Sequence, residues 1–452
     1  MIMEYKCYFM TAKGEIWDYV MSRAPALQKL VNDFWDMTLW DYANLRYSFS
    51  GSLNEMRRVE FLKYTWDYIE KKHWKTIREN AIQSLMSNYC VSTADHHGPI
   101  GHPFFFQSAV LRWLTRPWEA IVNLCTSHVS LGNSSYPRGF VVHNKREPYL
   151  WLPFFSAKER MSPVFGHAGF KKKDVEKCLS VLSKHQSLFE NSDYHSIKSW
   201  LQKNALSELI LWKETYSEQI TTLNELLWND IFGANLPPLI TLDGEKIVSE
   251  LLCQHLKKET SLLKNIMTEL SWQEEIENYF DGVSCCFEKK NRNWTYLFWH
   301  INADGERRAL WRNNNTLNSE DATISVSLNA EALHKALKNG ELIPSGLLMY
   351  TTLACYYGLT CFGGFAQGTY LPRIFAAYEK LAHKMWESVQ IQTSILCEDM
   401  VLMRNEKGGI ITALDMLLAK EECGIEKLLR NAKSTTLSDS IYMMLPEIAR
   451  CL

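Results

Sequence analysis

The sequence lacks the short motifs that mark the commonest cofactor and catalytic chemistries. It contains no G-x-G-x-x-G fingerprint and no P-loop, so no nucleotide site of those kinds is indicated. It also contains no H-E-x-x-H, no G-x-S-x-G elbow and no cysteine-protease signature. Catalysis by a Ser/His/Asp triad stays open, because the members of a triad can lie far apart in sequence.

The chain has no excess of charge of either sign. Its 452 residues include 49 Lys and Arg and 51 Asp and Glu, and the formal net charge is −2. A general nucleic-acid binder needs a basic face, and the longest basic run here is only Lys171–Lys173, which is typical of a solvated helix start. No nucleic-acid partner is therefore predicted.

Segments that target a chain to a membrane are not evident either. Residues 1–13 have no long apolar core, so they do not resemble a signal peptide. The uncharged stretch 342–372 is long enough to span a bilayer, but it contains Pro344 and five glycines. We expect this stretch to be a buried core helix followed by a glycine-rich turn, and we predict no membrane partner.

The twelve cysteines contain no C-x-x-C pair. Cys285 and Cys286 are adjacent, and neighbours in sequence rarely form a disulfide. Others, such as Cys355 and Cys361, lie in apolar stretches and are typical of buried free thiols. Free thiols indicate a reducing compartment, so the sequence predicts a cytoplasmic protein.

Hydrophobic periodicity predicts an α+β protein with a helical majority and a small antiparallel or mixed sheet. Strands are expected near 120–155, 239–242 and 294–328. The clearest signal is Asp304-Gly305 between two β-prone runs, which predicts a hairpin. No parallel βαβ repeat is evident in the pattern.

The composition is compatible with one large α+β unit over 1–452. A possible subdivision has a helical N-terminal part at 1–115, a mixed part at 116–342 and a helical C-terminal part at 343–452. No internal repeat or low-complexity segment marks a boundary.

A histidine-rich segment, Ser92–Pro103, is the strongest functional signal. Its two glycines and two prolines indicate a loop, and loops on a rigid scaffold often carry binding groups. If its first half is extended, Asp95 and His97 share one face and His96 lies on the other, while a turn brings His102 back. We predict that Asp95, His97 and His102 bind a divalent metal, zinc or iron, with His96 as general acid or base.

Two other interpretations of this loop stay open. The histidines can form a metal-free polar or catalytic site. They can also be structural, capping the preceding helix and bonding to loop backbone.

Two further loops carry candidate substrate-binding groups. Asn133 and Arg138 follow an apolar strand, and an arginine there is suited to a carboxylate or phosphate. Gln367 and Tyr370 follow a glycine pair and offer neutral hydrogen-bonding groups. The alternatives are a hairpin loop with a surface arginine and a turn between two helices. His128 is a possible further site histidine.

We expect the loops at 92–103, 131–139 and 363–370 to form one pocket. The sequence then predicts a cytoplasmic enzyme that acts on a small polar substrate, with metal-dependent hydrolysis or group transfer as its reaction. The alternative is a non-enzymatic binding or interaction protein with structural histidines, in which the 16 tryptophans supply the recognition surface. The oligomeric state is not predicted.

Overall fold

The fold is taken from a computed structural model, which describes most of the chain. The described residues are 14–23, 25–47, 54–72, 75–100, 103–133, 135–143, 149–233, 237–302, 304–364, 366–385, 410–418 and 425–451.

Helices make up the majority of the structure. The first covers 14–23 (α1). The others are α2 (Pro25–Phe34), α3 (Leu39–Arg46), α4 (Glu55–Lys72), α5 (Lys75–Ser87), α6 (Pro103–Thr115), α7 (Lys172–Lys184), α8 (Asn191–Asn204), α9 (Glu208–Leu211), α10 (Tyr216–Phe232), α11 (Gly244–Lys257), α12 (Leu262–Thr268), α13 (Leu270–Phe280), α14 (Ala330–Lys338), α15 (Gly346–Tyr350), α16 (Gln367–Met385), α17 (Ala413–Leu418), α18 (Ile425–Ser434) and α19 (Leu437–Cys451).

The strands form five small sheets in the described part of the chain. Their bounds are β1 (Cys90–Ser92), β2 (Ile121–Cys125), β3 (Gly139–Val142), β4 (Leu150–Pro153), β5 (Leu239–Asp243), β6 (Phe287–Glu288), β7 (Asn293–Trp294), β8 (Phe298–Ile301), β9 (Arg307–Ala309), β10 (Trp311–Asn313), β11 (Thr316–Asn318), β12 (Ser325–Ser327), β13 (Leu342–Pro344) and β14 (Thr360–Phe362).

The largest sheet has four strands in the order β14-β1-β2-β5, and every neighbouring pair is parallel. Parallel sheets are normally covered on both faces, and this one is. Cys90 and Ile121 belong to one hydrophobic core, and the next residues, Val91 and Val122, belong to the other. Helices α6 and α10 contribute to the first core, and α4, α11 and α16 contribute to the second.

The α+β class with a helical majority is confirmed, but the arrangement of the strands differs from the expectation. The hairpin at Asp304-Gly305 forms between β8 and β9, and β3 pairs with β4. However, β2 pairs with β1 and β5 in the parallel sheet and not with its neighbours β3 and β4. The sequence pattern did not reveal the parallel pairing, because β1 and β14 have only three residues and long connections separate β2, β5 and β14.

This central sheet draws its strands from all three segments that the sequence suggested. Strand β1 lies in 1–115, β2 and β5 lie in 116–342, and β14 lies in 343–452. The four strands therefore join distant parts of the chain in one element.

The uncharged stretch 342–372 is largely buried, as expected, but it is not a single core helix. It runs from β13 through α15 and a short π-helix (Thr351–Tyr356) to β14 and the start of α16. Gly358, at a φ of 67°, occupies the turn before β14, where a side chain would be strained. Within the described ranges, no helix is both long and apolar enough to cross a lipid bilayer.

Candidate functional site at the carboxyl edge of the parallel sheet

Polar residues follow each strand of the parallel sheet at the same edge. The strands end at Ser92, Cys125, Asp243 and Phe362, and because all four run in the same direction, these ends lie side by side. In open sheets with parallel strands, ligands bind outside the carboxyl ends of the strands. The histidine loop begins directly after Ser92, so the fold places it at this edge.

Neighbouring elements hold the histidine loop by its backbone. The buried side chain of Asn224, on α10, accepts a hydrogen bond from Ile100 N–H (2.8 Å) and donates one to the Gly98 carbonyl (3.0 Å). The loop also packs closely on the 131–139 loop, since a Cβ at Gly98 would lie 2.6 Å from the Cα of Pro137. These contacts fix the position of the histidines.

A glutamate and a histidine form a buried pair at this edge. Glu245 lies in the first turn of α11 and is fully buried, and its Oε1 is 2.7 Å from His128 Nδ1. The same carboxylate accepts hydrogen bonds from Ser127 Oγ and from the backbone N–H groups of Ser127 and His128. Since a carboxylate accepts, this contact places a hydrogen on Nδ1 and directs Nε2 of His128 away from Glu245.

The Glu245 carboxyl is ionised in this setting. Burial alone raises its pKa, but the hydrogen bond from His128, the charge on His128 and the backbone N–H groups outweigh burial and hold the pKa below its usual value. Glu245 therefore fixes the orientation of the His128 ring.

An arginine supports His128 from the other side. Arg307, on β9, donates a hydrogen bond to the His128 carbonyl, and its guanidinium lies 4.1 Å from the centre of the Trp299 ring. The hairpin predicted around Asp304-Gly305 thus reaches the site through Arg307. The stacked, hydrogen-bonded guanidinium anchors the backbone that carries His128.

His96 lies in the loop after β1 and contacts the 131–139 loop. Its Nδ1 is 3.1 Å from Asn133 Oδ1 and 2.8 Å from Ser135 Oγ. Burial, with a smaller contribution from His128, lowers the pKa of the His96 ring to about 4, so the ring is neutral at pH 7. The amide oxygen of Asn133 is an acceptor, which favours hydrogen on Nδ1 and leaves Nε2 of His96 as the basic atom.

His97 points to a different set of partners. It has a φ of 57°, so the extended run assumed from the sequence ends there. Its Nε2 is 3.1 Å from Thr221 Oγ1, and its Nδ1 is 3.9 Å from Asp243 Oδ2. Burial is the main cause that lowers the pKa of this ring.

Asp95 is also buried, and its carboxylate contacts the backbone of its histidine neighbours. Its Oδ2 is 3.4 Å from the Cys125 thiol, and backbone N–H groups of the loop also bond to the carboxylate. Burial raises its pKa to about 6. In the predicted metal set, Asp95 and His97 therefore have other partners, and His102 lies outside the described residues. Among the residues that the structure describes, no three His, Cys, Asp or Glu side chains are grouped to hold a metal ion.

The 363–370 loop reaches the histidine loop through Gln367. Its Oε1 accepts hydrogen bonds from Thr93 Oγ1 (2.7 Å) and Tyr350 OH (3.1 Å), and its Nε2 donates to the Cys361 carbonyl (2.9 Å). The hydroxyl of Tyr370 is 2.8 Å from that of Tyr350. These bonds occupy both polar ends of Gln367, so it ties β14 to the loop after β1.

Arg138 lies farther along the 131–139 loop than the residues that contact His96. Its guanidinium is 5.1 Å from the centre of the Tyr136 ring, and its Nε has no hydrogen-bond partner among the described residues. The geometry thus joins Asn133 to the histidine loop directly, while Arg138 packs one step away.

Several residues at this edge were not singled out from the sequence. Asp243 ends the apolar strand β5 and Glu245 lies in the first turn of α11, whereas the strand expected at 239–242 stops before both. In fact, the Asp243 side chain caps the start of α11 by accepting a hydrogen bond from Lys246 N–H (3.1 Å). An acidic residue that ends an apolar strand and caps the following helix was the signal available.

The site as described can perform proton-transfer chemistry. Two histidines in different settings lie at this edge of the sheet, one bonded to an ionised carboxylate and one held neutral by burial. Such separation of environments is how proteins assign acid and base roles. No known protein-family model matches this chain, and no curated protein shows significant similarity to it.

Proposed function

We propose that this protein is an enzyme that hydrolyses a small polar substrate, or transfers a group from it, by general acid–base catalysis. The observation that carries the proposal is the buried Glu245–His128 pair at the carboxyl edge of the parallel sheet, where its charge also affects the His96 ring. His96, as the neutral ring, takes a proton from the attacking water or hydroxyl group. His128, whose ring Glu245 orients, gives a proton to the leaving group.

Two loops supply the remaining roles in this proposal. Asn133 positions His96 and, with Arg138, holds a charged or hydroxylated part of the substrate. Gln367 and Tyr370 close the pocket on the side of β14. The roles of these four residues rest on their placement around the histidine loop.

A metal-dependent form of the reaction remains part of the proposal. In it, Asp95, His97 and His102 bind a divalent metal, zinc or iron. Elemental analysis of protein purified without a histidine tag tests it. About one equivalent of metal, lost in His97→Ala, supports this form, and protein that is fully active without metal contradicts it.

We also propose that the protein functions in the cytoplasm. The eight cysteines whose side chains the structure describes are free thiols, and seven of them are buried. Free buried thiols persist in a reducing compartment.

Turnover of small molecules tests the acid–base proposal. The purified protein is incubated with a mixture of small polar metabolites, and mass spectrometry follows which compounds are consumed. We expect wild-type protein to consume at least one, and His128→Gln and Glu245→Gln to lose roughly 10²- to 10⁴-fold of that rate, the usual contribution of general acid–base catalysis.

Asp415→Asn is the matched control, since Asp415 also pairs with a histidine, His143, but on helix α17 and away from the carboxyl edge. It should retain the activity. Full activity in both His128→Gln and Glu245→Gln would contradict the proposal. Tight binding of a metabolite with no turnover would support the alternative, a non-enzymatic binding protein.

A further inference from the structure

Two buried polar atoms lie near each other at the same edge, and neither has a hydrogen-bond partner among the described residues. His97 Nδ1 and Asp243 Oδ2 are 3.9 Å apart, which is too far for a direct hydrogen bond. The side chains are 1% and 2% exposed. Unpaired buried polar groups are costly, so a pair of them at a site needs a reason.

Both atoms are hydrogen-bond acceptors. His97 Nε2 lies 3.1 Å from Thr221 Oγ1, whose own hydrogen is directed to the Thr241 carbonyl at 3.5 Å. A hydrogen on Nε2 satisfies these contacts, which leaves the lone pair on Nδ1. On the other side, Asp243 Oδ1 already accepts from Lys246 N–H, whereas Oδ2 does not.

Two acceptors at this spacing fit one donor group that carries at least two hydrogens. An atom placed at an ordinary N–H···O distance of about 2.9 Å from both would see them at an angle of roughly 85°, within reach of tetrahedral N–H bonds. A hydroxyl group has a single donor and satisfies only one acceptor, whereas an ammonium group has three.

The local charge also favours a cation. Asp243 and the ionised Glu245 are neighbours at the start of α11, and Ser127 Oγ lies between them, 3.4 Å from Asp243 Oδ1 and 2.9 Å from Glu245 Oε2. The nearby cation is Lys246, whose Nζ is 3.7 Å from Asp243 Oδ2 and whose side chain is 27% exposed. Lys246 is therefore placed to exchange with an incoming ammonium group.

We propose that His97 Nδ1 and Asp243 Oδ2 form a subsite for a primary ammonium group of the substrate. This inference rests on the proposed function and names its substrate class, a small amine. Ser127 Oγ contacts both Asp243 and Glu245, so the subsite adjoins the Glu245–His128 pair. Lys246 occupies the outer side of the subsite until the amine displaces it.

The test uses ethylammonium chloride as the probe, with ethanol and sodium acetate at equal ionic strength as comparisons. Histidine-ring NMR of the full chain follows the His97 resonances, assigned with His97→Gln. We expect ethylammonium to shift them in a saturable way, and ethanol and acetate to leave them in place. Asp243→Asn keeps the helix cap but removes the charge, and it should weaken binding at least tenfold.

Lys246→Met distinguishes the ammonium subsite from a competing explanation, in which Lys246 binds an anion. If Lys246 competes with the probe, its removal tightens ethylammonium binding several-fold. If Lys246 is itself the recognition group for an anion, the same variant abolishes acetate binding. Lys338→Met is the matched control, because Lys338 also pairs with a carboxylate, Glu250, but on the protein surface. It should leave ethylammonium binding unchanged.

Two results would overturn the subsite. One is a shift of the His97 resonances caused by acetate but not by ethylammonium. The other is no shift at up to about 0.2 M ethylammonium, a concentration at which even a weak fragment complex forms. If zinc chloride shifts the His97 resonances and ethylammonium does not, the ammonium subsite is wrong and the predicted metal ligands are favoured. These outcomes are separable from the proposed function, because metabolite turnover that depends on His128 and Glu245 would persist if only the amine subsite were wrong.

Discussion

The side chain of Asn224 should be a large contributor to the stability of the histidine loop. Its amide accepts from Ile100 N–H at 2.8 Å and donates to the Gly98 carbonyl at 3.0 Å, and the side chain is fully buried. Asn224→Ala removes both bonds at once and leaves two backbone groups unpaired. Each unsatisfied buried group costs about 1–3 kcal/mol, so the free energy of unfolding should fall by about 2–6 kcal/mol.

Urea unfolding and amide hydrogen exchange together measure this effect. Exchange should accelerate at residues 98–100 more than elsewhere, because the bonds hold that segment. Asn204→Ala is the matched control: Asn204 is also buried, but its amide donates to Trp200 within the same helix, α8. The control should leave exchange at 98–100 unchanged. A loss below about 1 kcal/mol in Asn224→Ala, with unchanged exchange in the loop, would refute the reasoning.

Three further predictions concern stability, each measured by urea unfolding. Gly98→Ala should cost about 1–3 kcal/mol, because the new Cβ would lie 2.6 Å from Pro137 Cα, whereas Gly14→Ala, with no atom within 4 Å, should not destabilise. Burial raises the pKa of Asp95 to about 6, so the folded state holds the Asp95 proton more tightly than the unfolded chain does. The free energy of unfolding should therefore fall on the order of 3 kcal/mol as the pH rises from 4 to 6. Asp95→Asn should remove that loss. Burial lowers the pKa of His255 to about 3, so the neutral ring stabilises the folded state above pH 6.5. That stabilisation, on the order of 4 kcal/mol, is lost as the pH falls toward 3. If His255→Gln has the same dependence of stability on pH as the wild type, this prediction is wrong.

Local patterns predicted the class and several elements correctly. The Asp304-Gly305 hairpin and the burial of 342–372 both follow from turn residues and hydrophobic spacing over short ranges. The parallel sheet did not follow, because its pairing joins residues such as Cys90 and Thr360, which are far apart in sequence. Three-residue strands carry too little periodicity to reveal such pairing.

In the site, too, residues close together in sequence were predicted and residues far apart in sequence were not. The histidine loop was found because its histidines are close in sequence, and it contacts Asn133 and Gln367 of the two other loops, while the pocket expected from the three loops stays a prediction. Glu245 was missed because it acts on His128 across 117 positions of the chain. The metal set remains a prediction, since its geometry depended on an extended run that ends at His97.

Histidine-ring ¹⁵N NMR reports directly on the Glu245–His128 pair and requires no knowledge of the substrate. The His128 signals are assigned with His128→Gln and recorded at a pH where the ring is neutral. If Glu245 orients the ring for proton transfer, hydrogen is on Nδ1, Nε2 carries the lone pair, and Glu245→Ala removes this preference. A His128 ring with its hydrogen on Nε2, unchanged in Glu245→Ala, would contradict the acid–base role of the pair.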